Sequence, residues 1–324
     1  MALSGTALVT GARGFIGRNL AQHLADLNVT VIGIGHGSLP QTNIDNTAFS
    51  DWVNGDVDAA NLQQISANHG VVDYIFHLAG GSHVGSSFQN PAEDFSRTVV
   101  AGAQLLEWAR INHPDAEIVV VSSAAVYGSG HAGPIKERDT VNPFSPYGAH
   151  KYMLESLCRS YSANFAQKII IARLFSVYGE GLTKQLVFDT CQKLKVSGET
   201  IQFGGTGSEL RDWIHVSDVV RLLVHLSQMA STDCPVVNGG SGNATSVKDV
   251  VMMISDAWGQ EVGGIARSET EASFSGDARP GDPESLVADI SILRSSGFEV
   301  KTTNEIGFKK VVEWFKAEWC DHKP

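Results

Sequence analysis

Residues Thr6 to Gly17 read TALVTGARGFIG, a β-rich apolar run that ends on Gly11, Gly14 and Gly17 just as an amphipathic stretch begins. Glycine permits the tight turn and lets backbone N–H groups approach an anion at a helix N-terminus. The order strand, glycine loop, helix near the start of a chain predicts a dinucleotide-binding βαβ unit. Gly11, Arg13, Gly14, Phe15, Ile16 and Gly17 are therefore the first cofactor candidates.

The rest of the first half extends this pattern. Apolar runs predict strands over Thr6–Thr10, Val29–Ile34, Asp73–Leu78, Glu117–Ser122 and Lys168–Arg173, with helical periodicity between them, as in Phe15–Leu27 and Ala92–Ile111. Such alternation gives parallel βαβ units and, with right-handed crossovers, a doubly wound Rossmann-type α/β sheet. The pattern loosens after Arg173, where glycines crowd; one more strand is expected at CPVVNGG and a helix near Ile306–Trp319. The expected organisation is a dinucleotide-binding domain over 1–174, with 212–240 adding to it, and a smaller C-terminal α/β ligand lobe from 175–211 and 241–324. The ligand cleft would lie between them, at the carboxyl ends of the strands.

Composition narrows the partners. The 324 residues carry a net charge of −11, which argues against nucleic acid and anionic membrane. Cys158, Cys191, Cys234 and Cys320 have no paired or metal-like spacing, so reduced thiols, a cytoplasmic location and no metal site are expected. No basic segment followed by an apolar one stands at the N-terminus, and no apolar run is long enough to span a bilayer.

Further cofactor candidates follow the later strands. NGDVDAANLQQI offers Asp56 and Val57 for an adenine ring, the favoured reading, with Asp58 or Asp56 capping the next helix as the alternative. FHLAGG ends a strand on small residues, so Leu78, Ala79 and Gly80 suit close passage of a cofactor backbone. SPYGAHKYMLES places Tyr147 and Lys151 on one helical face. An adjacent ammonium lowers a phenol's pKa, so Tyr147 would exchange a proton with a substrate oxygen while hydride moves at the neighbouring carbon. Lys151 can also hold ribose hydroxyls. In VVVSSAAVYG, Ser122 and Ser123 end a strand, where a hydroxyl can bond the same oxygen.

The ordered set Gly-x-x-Gly-x-x-Gly, HLAGGSHVGSS, SSAAVYG, YGAHK, ARLFSVYG, RDWIHVSDVV and RPGDPESLVAD resembles the extended short-chain dehydrogenase/reductase family, in its epimerase/dehydratase group, over essentially the whole chain. The resemblance implies Ser123, Tyr147 and Lys151 as catalytic residues and a nucleoside-diphosphate sugar as substrate. It makes the C-terminal lobe the nucleotide-sugar lobe. It also implies a homodimer built on Ala92–Ile111 and Tyr147–Asn164. Arg211 and Arg279 match positions near the nucleotide and pyrophosphate, where planar guanidinium groups suit phosphate; Asp282 would take a sugar hydroxyl. Ser176 stands where many relatives have a pyrophosphate-binding asparagine, and Gln185 and Lys184 are nearby candidates to compensate. His83 and Ser86 or Ser87 would line the sugar pocket. Asp212 and His215 read as internal partners.

The reaction is narrowed by what is missing. Dehydratases of this resemblance carry Asp-Glu after the catalytic hydroxyl; here Ala124 and Ala125 stand there, and methyl groups do no acid–base work. Decarboxylases carry a glutamate there too, and combined 3,5-epimerase/reductases a cysteine near the serine. Two readings remain: reduction of an NDP-4-keto-hexose, and C4 epimerisation. In VTVIGIGHGS, Gly35 falls where NAD-using relatives have a ribose-binding aspartate. Glycine leaves room for a 2′-phosphate, and Arg13 and His36 lie where cations would meet it. This favours NADP(H) and net reduction, with NAD and C4 epimerisation as the alternative. A non-catalytic cofactor-binding module is the third reading.

Overall fold

A computed structural model describes residues 3–37, 48–196, 200–259, 271–277 and 283–320. Arg279 and Asp282 lie outside these residues. The strands are β1 (Thr6–Thr10), β2 (Thr30–Gly35), β3 (Asp51–Asn54), β4 (Tyr74–His77), β5 (Glu117–Ser123), β6 (Lys168–Leu174), β7 (Ser176–Tyr178), β8 (Thr200–Phe203), β9 (Leu210–His215), β10 (Val236–Gly239), β11 (Ala244–Ser246), β12 (Glu271–Phe274) and β13 (Ser285–Leu286). Two compact units emerge: Met1–Gly128, Glu137–Leu174 and Val219–Gly239 in the first, and Ser129–Lys136, Phe175–Asp218 and Gly240–Pro324 in the second.

The first unit is built on a seven-stranded sheet in the order β10-β6-β5-β4-β1-β2-β3. Every pair in it is parallel. Strands of a parallel sheet are buried on both faces, and these are. Leu8, Ile32, Ile75, Ile118, Val120, Ile169 and Ile171 enter one core together with Leu62, Leu105, Leu154 and Cys158 from the helices. The alternate residues Val9, Val31, Phe76, Val119 and Ile170 are equally buried. The chain runs outward from β1 to β2 and β3, then returns to place β4 on the other side of β1. The β1/β4 boundary is the topological switch point, where ligands of such sheets sit.

Two elements depart from the sequence reading. β3, a short half-buried edge strand, was not anticipated. The helix expected over Ala92–Ile111 is helical from Pro91 to Asn112, but Ser96–Val100 are wound as a π-segment.

In the second unit, β9 pairs with β7 and β13 in parallel and with β11 antiparallel, and β8 pairs with β12. Its core is aromatic: Tyr178, Phe188, Trp213, Phe308 and Phe315 with Val250 and Ile254. Residues 212–218 belong here, not with the first sheet as expected. The reason is Asp212. Its buried carboxylate accepts N–H and O–H bonds from Ser241 (2.6 and 2.7 Å) and N–H bonds from Gly242 (2.9 Å) and Ala288 (3.1 Å), all of the second unit. Burial pushes its pKa up, against these donors.

Candidate functional site

The glycine loop after β1 is shaped by steric necessity. Gly11 has φ +64°, and a Cβ there would meet Ala79 N at 2.9 Å. At Gly17 a Cβ would come within 2.3 Å of Gly11 O. Gly14 precedes the helix Phe15–Asp26 with no side-chain cap, and the first turn holds no acidic residue. Its leading N–H groups suit an anion. Phe15 and Ile16 are the first residues of that helix.

Thr10 joins this loop to the one after β4. Its Oγ1 accepts N–H bonds from Leu78 and Ala79, both at 3.1 Å, and lies 2.8 Å from His77 Nδ1. With both lone pairs engaged, the hydroxyl must donate to Nδ1, so His77 is neutral with its proton on Nε2. Burial, helped by the Lys151 charge, pushes the His77 pKa down to about 3. Nε2 is buried without a partner. Gly80, at φ +140°, passes close to Lys151: a Cβ there would sit 3.3 Å from both Lys151 Nζ and Thr98 Oγ1.

At the end of β2, the absence of a side chain at Gly35 has a packing cause. A Cβ would lie 3.2 Å from the Trp52 ring, whose Nε1 donates to Gly37 O at 3.1 Å. The space expected for a 2′-phosphate is thus bordered by Trp52. His36 Nε2 is 3.0 Å from Asp56 Oδ1, so these two candidates pair with each other. The Arg13 guanidinium lies against Gly37. Asp58, not Asp56, caps the next helix, accepting Asn61 N–H at 2.8 Å. Val57 is buried.

Ser123, Tyr147 and Lys151 come together. Ser123 ends β5, accepts Ala125 N–H at 3.2 Å and stands near enough to the Tyr147 hydroxyl to pull its pKa down. Tyr147 and Lys151 project from the helix Pro146–Phe165, whose N-terminus is fully provided for. Pro146 brings no N–H, Tyr147 N–H donates to Ser87 Oγ at 3.1 Å, and Gly148 N–H to Ser145 Oγ at 3.1 Å. Lys151 Nζ lies 6.0 Å from the Tyr147 ring centre and donates to Val121 O at 3.0 Å. The expected fall in the phenol pKa is not found. Burial pushes Tyr147 up, more than Ser123 pulls it down. Burial also lowers Lys151 to about 8, against the carboxylates of Asp94 and Glu155.

Under this cluster Glu155, fully buried, accepts Arg173 Nε (2.9 Å) and Nη2 (2.7 Å), Arg159 Nη2 (2.9 Å) and Ser122 Oγ (2.7 Å). Ser122 is thereby committed to the core, leaving Ser123 beside Tyr147.

The sugar-pocket candidates are more dispersed. His83 is exposed, and Ser86 Oγ donates to its carbonyl at 2.9 Å. Ser87 is buried under the Tyr147 backbone. In the second unit, Ser176 is half-buried at the start of β7, and exposed Gln185, with φ +70°, opens the helix Gln185–Val196. Arg211 is half-buried and donates to Leu210 O at 2.9 Å. His215 bonds Glu180 (2.8 Å) and Ser217 (2.8 Å) as an internal partner.

Sequence reasoning passed over Thr10, Trp52, Asp94, Thr98 and His150. The one visible signal was His150 itself, a histidine between Tyr147 and Lys151 on the catalytic helix. Among the described residues, no group of three His, Cys, Asp or Glu side chains could hold a metal, and no helix is long and apolar enough to cross a membrane.

The chain is 32% identical over 313 residues to a UDP-glucose 4-epimerase of Azospirillum brasilense, covering 90% of this chain and 86% of that protein. It is 28% identical over 321 residues to a dTDP-glucose 4,6-dehydratase of Streptomyces griseus, covering 95% of this chain and 93% of that one. The solved structure of MoeE5 in complex with UDP-glucuronic acid and NAD superposes with a TM-score of 0.83 at 31% identity, covering 97% of this chain and all of the other. The profile of the NAD-dependent epimerase/dehydratase family matches residues 7–238. With the switch-point glycine loop and the Ser123–Tyr147–Lys151 cluster inside that span, the chain belongs to the NAD-dependent epimerase/dehydratase family.

Proposed function

We propose that this chain inverts C4 of a nucleoside-diphosphate hexose, with NAD as its cofactor. The observation that carries the reading is the meeting of Ser123 at the end of β5 with Tyr147 and buried Lys151, whose Nζ lies 6.0 Å from the Tyr147 ring centre, in a chain 32% identical to a UDP-glucose 4-epimerase. It displaces the 4-keto reductase that the sequence favoured. The loops at the switch point fit NAD: Gly11, Gly14 and Gly17 leave no room for side chains, and the uncapped helix start suits a pyrophosphate. Gly11 to Gly17 would hold the pyrophosphate, Asp56 and Val57 the adenine, Leu78 to Gly80 the backbone of the dinucleotide, and Lys151 the nicotinamide ribose. Bound there, NAD would supply a reversible hydride acceptor beside the sugar carbon.

The protein's own part is proton management. Tyr147 exchanges the proton of the 4-hydroxyl through its phenol, and Ser123 bonds the same oxygen and orients it. Lys151, its Nζ 6.0 Å from the ring centre, sets a positive charge where phenolate character develops. Ala124 and Ala125 leave no group to expel water, which separates this site from dehydration. Arg211, Arg279, Asp282, Ser176, Gln185, His83 and Ser86 are the substrate-side candidates. We infer a second copy of the chain as partner, on the helical spans Pro91–Asn112 and Pro146–Phe165, where Phe95, Val100, Tyr152, Met153 and Phe165 are exposed.

A second reading, reduction of a 4-keto sugar with NADPH, is favoured by one observation: no acid stands at Gly35, while Arg13 lies against Gly37. The test is twofold. Denatured, freshly purified protein should release stoichiometric NAD, and UDP-glucose should give UDP-galactose without added cofactor. Released NADP, or turnover only with 4-keto sugars and NADPH, would establish the second reading. Tyr147→Phe should lose activity by several orders of magnitude while retaining the nucleotide; full activity would remove the mechanism.

A further inference from the structure

We propose that Asp94, clamped by His150, is the carboxylate that keeps Lys151 charged, and so acts as a positioning residue for the Tyr147–Lys151 pair. This rests on the reading of those two residues as the proton-handling pair. His150 Nδ1 lies 2.6 Å from Asp94 Oδ2, with side chains only 12% and 6% exposed. The Phe95 ring closes over His150 edge-on at 5.4 Å. The other carboxylate oxygen presses on the loop after β4: a Cβ at Gly81 would fall 1.9 Å from Asp94 Oδ1. Gly81 N–H donates to Thr98 Oγ1 at 2.9 Å, and a Cβ at Gly80 would lie 3.3 Å from both Thr98 Oγ1 and Lys151 Nζ. Asp94, Thr98 and Lys151 thus line one short stretch of backbone.

A buried ammonium needs a counter-charge. The titratable groups around Lys151 are Tyr147, Glu155 and Cys158 on its own helix, His77 on β4 and Asp94 on the facing helix. Glu155 is matched by the guanidinium groups of Arg173 and Arg159. His77 is neutral by its bond from Thr10. Burial holds the Cys158 thiol protonated, and the Tyr147 phenol likewise. Asp94 is the carboxylate in this group that no guanidinium neutralises. His150 fixes it through its ring Nδ1, 2.6 Å from Oδ2.

The test is an NMR titration of Lys151 in full-length protein carrying 13C-labelled lysine, the signal assigned by its loss in Lys151→Met. Asp94→Asn should lower the ratio of charged to neutral Lys151 at pH 8 about tenfold. Glu93→Gln, which breaks only the exposed pair with Arg97, should leave it unchanged. The alkaline limb of the pH–rate profile should move to lower pH in Asp94→Asn. Asp94→Ser, with a smaller uncharged side chain, is held to the same outcome should the amide variant not fold. An unchanged Lys151 titration in either folded variant overturns the proposal. Absence of sugar turnover in the unsubstituted protein, with the titration shifted as stated, would instead remove the epimerase reading alone.

Discussion

Glu155→Gln is the sharpest perturbation of the platform under Ser123. Glu155 is fully buried and receives four donors, two of them from Arg173, which is itself only 2% exposed. Glutamine keeps the volume but turns one oxygen into an NH₂ group that faces guanidinium donors, and it removes the charge. Breaking one side of a buried pair costs about 3–5 kcal/mol, because the remaining charge stays buried. Two contacts of Arg173 survive: Glu137 O at 3.1 Å and the Tyr127 ring at 4.7 Å. They place the expected loss near the lower end, about 3 kcal/mol. Because the chain has two compact units, the assay should be local: hydrogen exchange of β5 and β6 amides, read as the fall in opening free energy. The double variant Glu155→Leu/Arg173→Met, which removes both charges, should recover most of the loss. A loss under about 1 kcal/mol, or a double variant no more stable than the single one, would refute the argument that the buried Arg173 charge depends on Glu155.

Three further outcomes are expected. Lys151 titrates near 8 in the folded chain against 10.5 free, so the native state gives up a proton that the unfolded chain still holds between those values. Stability therefore rises with pH across that window, and below it the buried charge costs about 3 kcal/mol. Calorimetry from pH 7 to pH 10.5 should record that rise in the unsubstituted protein and a weaker one in Lys151→Met. His77, held at about 3 against 6.5, excludes a proton from the native state, so its contribution is complete above pH 6.5 and is lost as pH falls towards 3. In urea titrations at pH 7, 5 and 4, His77→Asn, which keeps an acceptor for Thr10, should show a shallower acid decline than the unsubstituted protein. Ser87→Ala leaves the Tyr147 N–H without its acceptor and should cost about 1 kcal/mol, with kcat falling more than KM rises; an unchanged kcat would mean that Ser87 does not position the helix start.

Local signals carried what is local. The glycine loop, the parallel strands and the Tyr147–Lys151 face follow from periodicity and spacing within a few residues, and the structure has them. β3 escaped because four residues of an edge strand, DWVN, offer no buried run. Asp94–His150, Thr10–His77 and Gly35–Trp52 join residues distant in the chain; only the sheet order brings them together. The direction of the Tyr147 pKa was out of reach for another reason. A lysine four residues away is visible in sequence, whereas the burial that outweighs it is a property of the packed core. The attachment of residues 212–218 to the second unit likewise depends on Ser241, Gly242 and Ala288 meeting Asp212.

The π-segment Ser96–Val100 has a bearing on which length changes this chain can accept. Such a segment holds one residue more than an α-helix needs over the same rise. It sets two phases within one continuous helix. Leu105, Leu106 and Ala109 face the sheet on one side of it, and Asp94 meets His150 on the other. Deleting one residue between Ser96 and Val100 would restore uniform winding and swing Asp94 by about 100° relative to the sheet-facing side chains. Substitutions at the exposed Ser96, Arg97 and Val100 should therefore be mild and single deletions severe, and a helix one residue shorter in a related chain should carry no acid–histidine clamp.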